Sequence, residues 1–138
     1  MQVFHEEMRP SSPYLSIAVP LHNEAGTLMS LYHEIKDVLN EMGVSYEIIF
    51  INDASADKTP DILHQIKEKD RHVRIIDHKE NYGAAAALST GFQFVHDDII
   101  VTMDGDGQND PLDIPFLVAK IEEGYRAATG WRIKRKIF

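Results

Sequence analysis

The chain alternates between short apolar runs and amphipathic stretches of helical period, and this alternation limits the folds that it can adopt. Runs rich in β-branched and aromatic residues predict strands over 14–19, 46–51, 73–77 and 99–103. Helical spacing predicts helices over 27–42, from about 59 to 69, and over 83–95 and 113–123, with a fifth strand beginning at 127–129. Because strands and helices alternate, βαβ units and parallel pairing are expected. The predicted fold is α/β, with a mainly parallel sheet and helices on both faces.

The stretch 27–42 shows the helical period clearly. Its apolar residues recur at three- and four-residue steps, which places them on one face: Leu28, Leu31, Ile35, Val38, Leu39 and Met42. Gly43 follows as a stop, because glycine readily adopts the left-handed conformation that ends helices. The run 46–51 is almost continuously apolar, as expected for a strand that is covered on both faces.

Length and composition indicate one globular domain. The chain has 138 residues, of which 43% are apolar and 26% charged, enough for a core without disulfides. We expect a polar tail over 1–13, a domain over 14–131 and a basic end over 132–138. The tail lacks the basic start and apolar stretch of a signal peptide. No apolar run approaches the roughly 18 residues that span a bilayer, so the expected location is cytoplasmic.

The charge balance bears on the partners of the chain. The formal net charge is -8, whereas nonspecific nucleic-acid binding depends on basic surface that neutralises phosphates. Nucleic acid is therefore not an expected partner. The same acidity means that an anionic substrate would need a metal ion to meet it.

Polar, carboxylate-bearing segments follow three of the predicted strands. They occupy 20–24 after the first strand, 52–59 after the second and 104–110 after the fourth. In parallel α/β sheets, ligands bind beyond the carboxyl ends of the strands. The three segments should therefore gather on one edge of the sheet, where chemistry is expected.

The third segment carries two aspartates, Asp104 and Asp106, separated by Gly105. Two carboxylates in a partly dry turn repel each other unless a cation offsets their charge. Oxygen ligands suit Mg²⁺ or Mn²⁺, which can bridge to phosphate oxygens, and Gln108 adds a neutral oxygen. Gly105 and Gly107 permit a sharp turn and a close approach to a ligand. The alternative is a solvated acidic turn, but the position after a buried strand favours a metal site.

The other segments hold further candidates. Asp53 follows an apolar strand, where an acid often accepts hydrogen bonds from a ribose or a base; the alternative is a turn or capping role. Glu24 either caps the first helix or reaches the ligand, and Gly83 either permits close backbone approach or only begins a helix. For His22, the residues alone favour a surface role. Asp57 and Thr59 are assigned to turn and capping roles.

Together these segments resemble family 2 glycosyltransferases of the GT-A fold, a Rossmann-like nucleotide-diphospho-sugar-binding sheet. The resemblance runs through four stretches in order, which are 19–24, 51–59, 81–91 and 103–111. Gln108 and Pro111, followed by 113–115, are most similar to the polyprenyl-phosphate branch. That branch includes dolichol-phosphate mannosyltransferases and bacterial undecaprenyl-phosphate sugar transferases.

The resemblance implies a role for each matching position. It implies an inverting transfer of a sugar from a GDP- or UDP-linked donor to a polyprenyl phosphate, whose own charge removes the strict need for a general base. The implied nucleotide-sugar site comprises Pro20, His22, Glu24, Asp53, Gly83 and Asp104. The implied ligands of Mg²⁺ or Mn²⁺ are Asp104, Asp106 and Gln108. The residues implied to act in catalysis are Asp104, Asp106 and Arg132, the last through a phosphate.

The chain departs from the family pattern in three ways. Asn52 stands where many relatives carry an aspartate, and Ala84 stands where a lysine or another polar residue is frequent. The chain also stops inside the basic cluster, whereas the family continues into an acceptor half. We therefore expect a truncated protein that binds the donor but does not complete transfer alone. Peripheral membrane association and self-association through an open sheet edge or apolar face are further expectations.

Three other classes of protein were weighed against this interpretation. A phosphate-receiver domain needs acids after the first strand and a phosphorylated aspartate after the third; here the acids follow the second and fourth strands, and 78–80, which begins with His78, follows the third. A nucleotidyltransferase would show a glycine- and basic-rich loop after the first strand, which 21–26 lacks. An inactive or regulatory nucleotide-sugar-binding module remains the main alternative.

Overall fold

The computed structural model describes residues 14–95, 99–105 and 109–124. Four strands lie in these ranges: β1 (Leu15–Leu21), β2 (Tyr46–Asp53), β3 (Val73–His78) and β4 (Ile99–Thr102). Four α-helices accompany them: α1 (Leu28–Met42), α2 (Thr59–Lys69), α3 (Ala84–Phe94) and α4 (Ile114–Glu122). A short 3-10 helix, Pro111–Asp113, precedes α4. The predicted strand at 127–129, the tail at 1–13 and the basic end at 132–138 lie outside the described residues.

The four strands form one sheet in the order β3-β2-β1-β4, and every pairing is parallel. β1 and β2 occupy the inner positions, and every residue of β1 is buried. An inner strand covered on both faces cannot alternate apolar and polar residues, which explains the nearly continuous apolar runs. The prediction of an α/β fold with a mainly parallel sheet is confirmed.

Helices cover both faces of the sheet, as predicted. The larger core packs α1, α2 and α4 against one face, and the smaller core packs α3 against the other. On α1 the predicted apolar stripe is buried except for Met42, which is half-buried. Gly43 ends α1 with a φ of 70°, a left-handed conformation that glycine adopts without a steric penalty.

The packing of α3 uses few of its small residues. Within the run 84–87, only Ala87 is fully buried and Ala84 is exposed. One helical turn later, Gly91 also lies close to the sheet, because a Cβ added there would lie 3.1 Å from Cδ1 of Ile51 on β2. The helix therefore approaches the sheet through Ala87 and Gly91, which leaves its first turn free to face the carboxyl edge.

Three strands extend further than their sequences indicated. β1 continues through Pro20 to Leu21, β2 continues to Asp53, and β3 continues to His78. β4 pairs with β1 only as far as Thr102 opposite Ala18, so no β4 residue faces the position where Pro20 lacks an N–H. Proline is tolerated in a sheet where no ladder bond is required. Across the described ranges, no helix is long and apolar enough to cross a membrane.

Candidate functional site

The carboxyl ends of the strands surround a cavity of about 170 Å³. Its walls come from the ends of β1 and β2, the loops after β1 and β4, and the first turn of α3. They consist of Pro20, Leu21, His22, Glu24, Asp53, Ala84, Asp104 and Gly105. Five of the six residues predicted for the nucleotide-sugar site line this cavity. The sixth, Gly83, lies one residue before the wall residue Ala84 and contributes its backbone instead.

Asp53 ends β2 and is only 2% exposed. Its Oδ1 accepts hydrogen bonds from the N–H of Tyr82 at 2.9 Å and from Nδ1 of His78 at 2.9 Å. Its Oδ2 accepts one from the N–H of Gly83 at 2.7 Å. Gly83 has a φ of 96°, a conformation that favours glycine and turns consecutive amides toward the carboxylate. The side chain of Asp53 thus fastens the start of α3 to the sheet.

These contacts decide the ionisation of Asp53. Burial alone would raise the pKa of its carboxyl group, because a low dielectric disfavours charge. The hydrogen bonds from Tyr82, His78 and Gly83 outweigh the burial and hold the pKa below its ordinary value. Asp53 is therefore a buried carboxylate that keeps its charge at neutral pH.

His78 belongs to this site although the sequence did not indicate it. It ends β3 directly opposite Asp53 in the parallel register, and its Nε2 lies 2.8 Å from Oγ1 of Thr90 on α3. The sequence pattern uses His78 only as an argument against a receiver domain. A polar residue at the end of a strand beside β2 was the available signal, but the register that pairs it with Asp53 comes from the folded sheet.

His22 has an exposed but fixed ring. Its Nδ1 donates to the backbone carbonyl of Asp53 at 2.8 Å. Its Nε2 accepts from the side-chain amides of Asn23 and Asn81, each at 3.2 Å. Both amides have their oxygens engaged by backbone N–H groups, of Ala56 and Gly83 respectively, which fixes the amide orientation and directs both amide NH₂ groups to His22. The ring thus connects the loop after β1, the end of β2 and the loop after β3 at the rim of the cavity.

Side chains connect the loop after β1 to the loop after β2. Asn23 has a left-handed φ of 55°, and its Oδ1 accepts from the N–H of Ala56 at 2.7 Å. Asp57 accepts from the N–H of Thr59 at 2.9 Å and from that of Ala25 at 3.1 Å. A hydrogen bond with the side chain of Thr59 contributes most to lowering the pKa of Asp57, and these two backbone hydrogen bonds lower it further. The turn role assigned to Asp57 therefore extends to joining two walls of the site.

Glu24 and Asn52 also take part in the hydrogen bonds between these loops and strands. Glu24 does so through its backbone, and Asn52 does so through its side chain. The Glu24 N–H donates to Oγ1 of Thr59 at 3.0 Å, while its side chain lies in the cavity wall. Asn52 is buried, and its amide donates to Oδ1 of Asp77 at 2.9 Å and accepts from the N–H of Ser55 at 3.1 Å. Asn52, where many relatives carry an aspartate, serves here as a brace between β2 and β3.

The opposite wall of the cavity follows β4. Asp104 is exposed, and its N–H donates to Oδ1 of Asn109 at 2.6 Å. Gly105 is buried, and a Cβ added there would overlap with Cδ2 of Leu21 and lie 2.9 Å from the carbonyl oxygen of Pro20. We predicted that Gly105 permits close approach to a ligand; in the structure it permits close approach to β1.

The residues predicted to hold a metal ion fall only in part within the described ranges. Asp106 and Gln108, two of its three predicted ligands, lie outside the described residues, as do Gly107 and the predicted phosphate-binding Arg132. Over 14–95, 99–105 and 109–124, no group of three or more His, Asp or Glu residues is placed to hold a metal ion. Asp104 fits the prediction in chemistry and place, because its exposed carboxylate lies at the cavity and offers the oxygen that Mg²⁺ and Mn²⁺ prefer.

Comparison with known proteins identifies the family. The sequence profile of glycosyl transferase family 2 matches residues 16–137. An undecaprenyl-phosphate 4-deoxy-4-formamido-L-arabinose transferase of Shewanella sediminis is 41% identical over 113 residues, which cover 81% of this chain and 34% of that protein. An uncharacterized glycosyltransferase of Bacillus subtilis, YkcC, is 35% identical over 121 residues, 88% of this chain and 38% of that protein. The chain thus spans about a third of the length of these relatives.

Solved structures agree on the fold. The mannosyltransferase PcManGT from Pyrobaculum calidifontis, in complex with GDP-Man and Mn²⁺, superposes with a TM-score of 0.57 at 26% identity, covering 69% of this chain and 28% of that one. Glucosyl-3-phosphoglycerate synthase from Mycobacterium tuberculosis, in complex with UDP, gives 0.65 at 21% identity, covering 90% and 45%. The predicted GT-A fold is confirmed, and with the profile match over most of its length this chain belongs to glycosyl transferase family 2.

Proposed function

We propose that the cavity at the carboxyl edge of the sheet binds a nucleotide-diphosphate sugar. We further propose that the domain over 14–131 is the donor-binding part of an inverting glycosyltransferase that transfers the sugar to a polyprenyl phosphate. The observation that carries this proposal is the pairing of two acids across one cavity. Asp53 is buried and hydrogen-bonded on one side, and Asp104 is exposed on the other.

The Asp53 side suits the nucleoside. A buried carboxylate that stays charged is a strong acceptor for an N–H or O–H group of a ligand. His22 and Glu24 border the same space, and Pro20 and Ala84 supply apolar wall. Ala84, where relatives frequently carry a larger polar residue, leaves room beside Asp53.

The Asp104 side suits the diphosphate. The protein is acidic, so a divalent cation would be needed between its carboxylates and an anionic ligand. Asp104, together with Asp106 and Gln108, is proposed to hold Mg²⁺ or Mn²⁺. When bound, the ion would offset the charge that builds on the leaving nucleoside diphosphate. The similar mannosyltransferase PcManGT is described in complex with GDP-Man and Mn²⁺.

The acceptor is proposed from the relatives. The Shewanella relative is named for an undecaprenyl-phosphate acceptor. A phosphate oxygen of such a lipid is already charged, so its attack on the anomeric carbon needs no general base, and Arg132 is proposed to meet a phosphate of donor or acceptor. A lipid acceptor also implies work at the cytoplasmic face of a membrane. Within the described sheet, no strand pairs with the outer edge of β4, and we propose self-association there; a monomer in light scattering would contradict it.

Thermal unfolding in the presence of nucleotides tests donor binding. UDP or GDP with Mn²⁺ should raise the melting temperature, because a ligand that binds only the folded state stabilises it. Asp106→Ala should abolish the gain that depends on Mn²⁺. Asp37→Ala, which removes an exposed acid from α1 far along the chain from the site, should retain it. If neither nucleotide stabilises the protein with Mn²⁺, the proposal is wrong.

A further inference from the structure

Thr27 occupies the position that caps the N-terminus of α1, but its side chain makes no capping hydrogen bond. A threonine at this position usually accepts a hydrogen bond from a backbone N–H of the first helical turn. Such a cap usually goes with an extended backbone, whereas Thr27 has a φ of -115° and a ψ of -16°. The hydroxyl of Thr27 is therefore directed to a contact outside its own helix.

The hydroxyl of Thr27 donates to the backbone carbonyl of Gly105, with 3.0 Å between the two oxygens. The carbonyl oxygen of Glu24 lies further from it, at 3.4 Å, and already accepts the N–H groups of Thr27 and Leu28 at 3.1 and 3.0 Å. A carbonyl oxygen has two lone pairs and a hydroxyl has one proton, so the proton is assigned to Gly105. This hydrogen bond joins the start of α1 to the loop after β4, across 78 positions of the chain.

The loop after β4 (the metal loop, 104–110) is held from three sides beside Asp104. The N–H of Asp104 donates to Oδ1 of Asn109 at 2.6 Å. Gly105 packs so closely on the end of β1 that an added Cβ would overlap with it. The carbonyl of Gly105 accepts the hydrogen bond from Thr27. Together these contacts fix the backbone that follows the side chain of Asp104.

We propose that Thr27 is a positioning residue of the metal site, because its hydroxyl fixes the backbone between Asp104 and Asp106. The inference rests on the proposed function, since it concerns how the same cavity holds Mg²⁺ or Mn²⁺. Hydrogen bonds behind metal ligands orient those ligands, and their loss commonly lowers metal affinity about 10- to 100-fold. Thr27 acts through the Gly105 carbonyl rather than on a ligand directly, so the lower end of that range is expected.

Nucleotide binding, measured by calorimetry at constant Mn²⁺ and again in EDTA, tests the proposal. The probe is UDP, or GDP if only GDP binds the wild type. Thr27→Val keeps the size of the side chain without the hydroxyl, and should lower the affinity about tenfold with Mn²⁺ and by less than about twofold in EDTA. Thr27→Ser keeps the hydroxyl and should stay within about twofold of the wild type in both conditions. Ser30→Ala, which removes an exposed hydroxyl further along α1, is the matched control and should behave like Thr27→Ser.

Two results of this measurement would refute the role of Thr27. An unchanged affinity of Thr27→Val with Mn²⁺ would show that the hydroxyl does not support the metal ligands. Losses of equal size with Mn²⁺ and in EDTA would show a structural role alone, since the effect would not depend on the ion. If Thr27→Val does not fold, Thr27→Ala replaces it with the same expected results.

Hydrogen exchange gives a reading that needs neither metal nor nucleotide. The amide of Asp104 bonds within the metal loop, and the amide of Leu31 bonds to the carbonyl of Thr27 at 3.0 Å. In Thr27→Val, exchange at Asp104 should become about tenfold faster, whereas exchange at Leu31 should stay within about threefold, because the start of α1 remains intact. Equal acceleration at both amides would mean that the hydroxyl serves α1 rather than the metal loop, and would overturn the proposal.

The wild-type measurement separates this inference from the proposed function. Wild-type protein that binds neither UDP nor GDP removes the proposed function and this inference together. Wild-type protein that binds either nucleotide with Mn²⁺, while Thr27→Val binds it equally well, leaves donor binding intact and removes only the inference.

Discussion

The two sides of the cavity carry the same sequence pattern and have opposite environments. Asp53 and Asp104 each come at or just after the end of an apolar strand. Asp53 lies on an inner strand, where β3 and the start of α3 reach it and satisfy its charge. Asp104 follows β4, which has a partner strand on one side only within the described sheet, and its side chain is exposed. The position of a strand in the sheet therefore accounts for the burial of its terminal acid on β2 and for the exposure of the acid after β4.

The two sides of the cavity therefore differ in how far the protein itself satisfies their charged groups. The charge of Asp53 is balanced by protein donors, so the Asp53 side is formed before a ligand arrives. Preformed donors and acceptors reduce the cost of ordering a bound ligand. The Asp104 side presents its carboxylate to solvent, where a cation and a diphosphate can meet it.

Removing each acid in turn should show the largest difference between the two sides of the cavity. Asp53→Ala leaves three donors without their acceptor and should lower the free energy of unfolding by about 3 kcal/mol. Asp104→Ala, at an exposed position, should change it by less than about 1 kcal/mol. Urea denaturation measures both variants. Equal losses would show that the two sides do not differ in structural role. Asp53→Ala should also weaken nucleotide binding in the absence of metal, and unchanged affinity would leave Asp53 with a turn role only.

A smaller effect is expected from the glycine that joins the Asp104 side to β1. In Gly105→Ala the new Cβ would press on Leu21 and on the backbone carbonyl of Pro20, and backbone shifts of this kind cost about 2 kcal/mol. Gly26→Ala is the matched control, because nothing lies within 4 Å of its added Cβ. Thermal unfolding should show a clear loss for the first variant and almost none for the second. A loss of the same size in both would mean that the close approach at Gly105 is not what matters.

The smallest expected effect appears in acid. The folded pKa of Asp53 lies below its ordinary value, so its contribution to stability is present above the unfolded carboxyl pKa of about 3.9. It is lost as the pH falls through the lower folded pKa. Melting temperatures measured from neutral pH into acid should therefore fall less steeply for Asp53→Asn than for the wild type.

A second acid sets the background of that measurement. Burial opposes the charge of Asp70, but its hydrogen bonds with Lys36, Tyr32 and His72 lower its pKa strongly, while burial and Asp70 raise the pKa of Tyr32 to about 12. Asp70 precedes the first residue of β3, whereas Asp53 is the last residue of β2, so the two acids lie at opposite ends of the strands. The contribution of Asp70 to the pH dependence of stability should therefore remain in Asp53→Asn. Identical profiles of wild type and Asp53→Asn would contradict the assigned shift of Asp53.

The fold was largely predictable because its signals are local. Apolar spacing located all four described strands and all four helices, and errors were confined to the ends. The end of β2 was missed because Asn52 and Asp53 are polar, and polar residues after an apolar run indicate a loop. In the folded sheet both residues remain in the ladder, opposite Asp77 and His78. The same register accounts for the failure to include His78 in the site.

Local sequence patterns were enough to predict the parallel α/β architecture, the resemblance to the family, and the acids at the carboxyl edge of the sheet. These follow from short-range patterns of apolar spacing and from residues at the ends of strands. Only the tertiary structure decided that Gly105 is required by its contact with β1, and that His78, Tyr82 and Gly83 donate to Asp53. Such contacts join residues about 25 to 85 positions apart, and they depend on strand order and register, which local patterns do not encode.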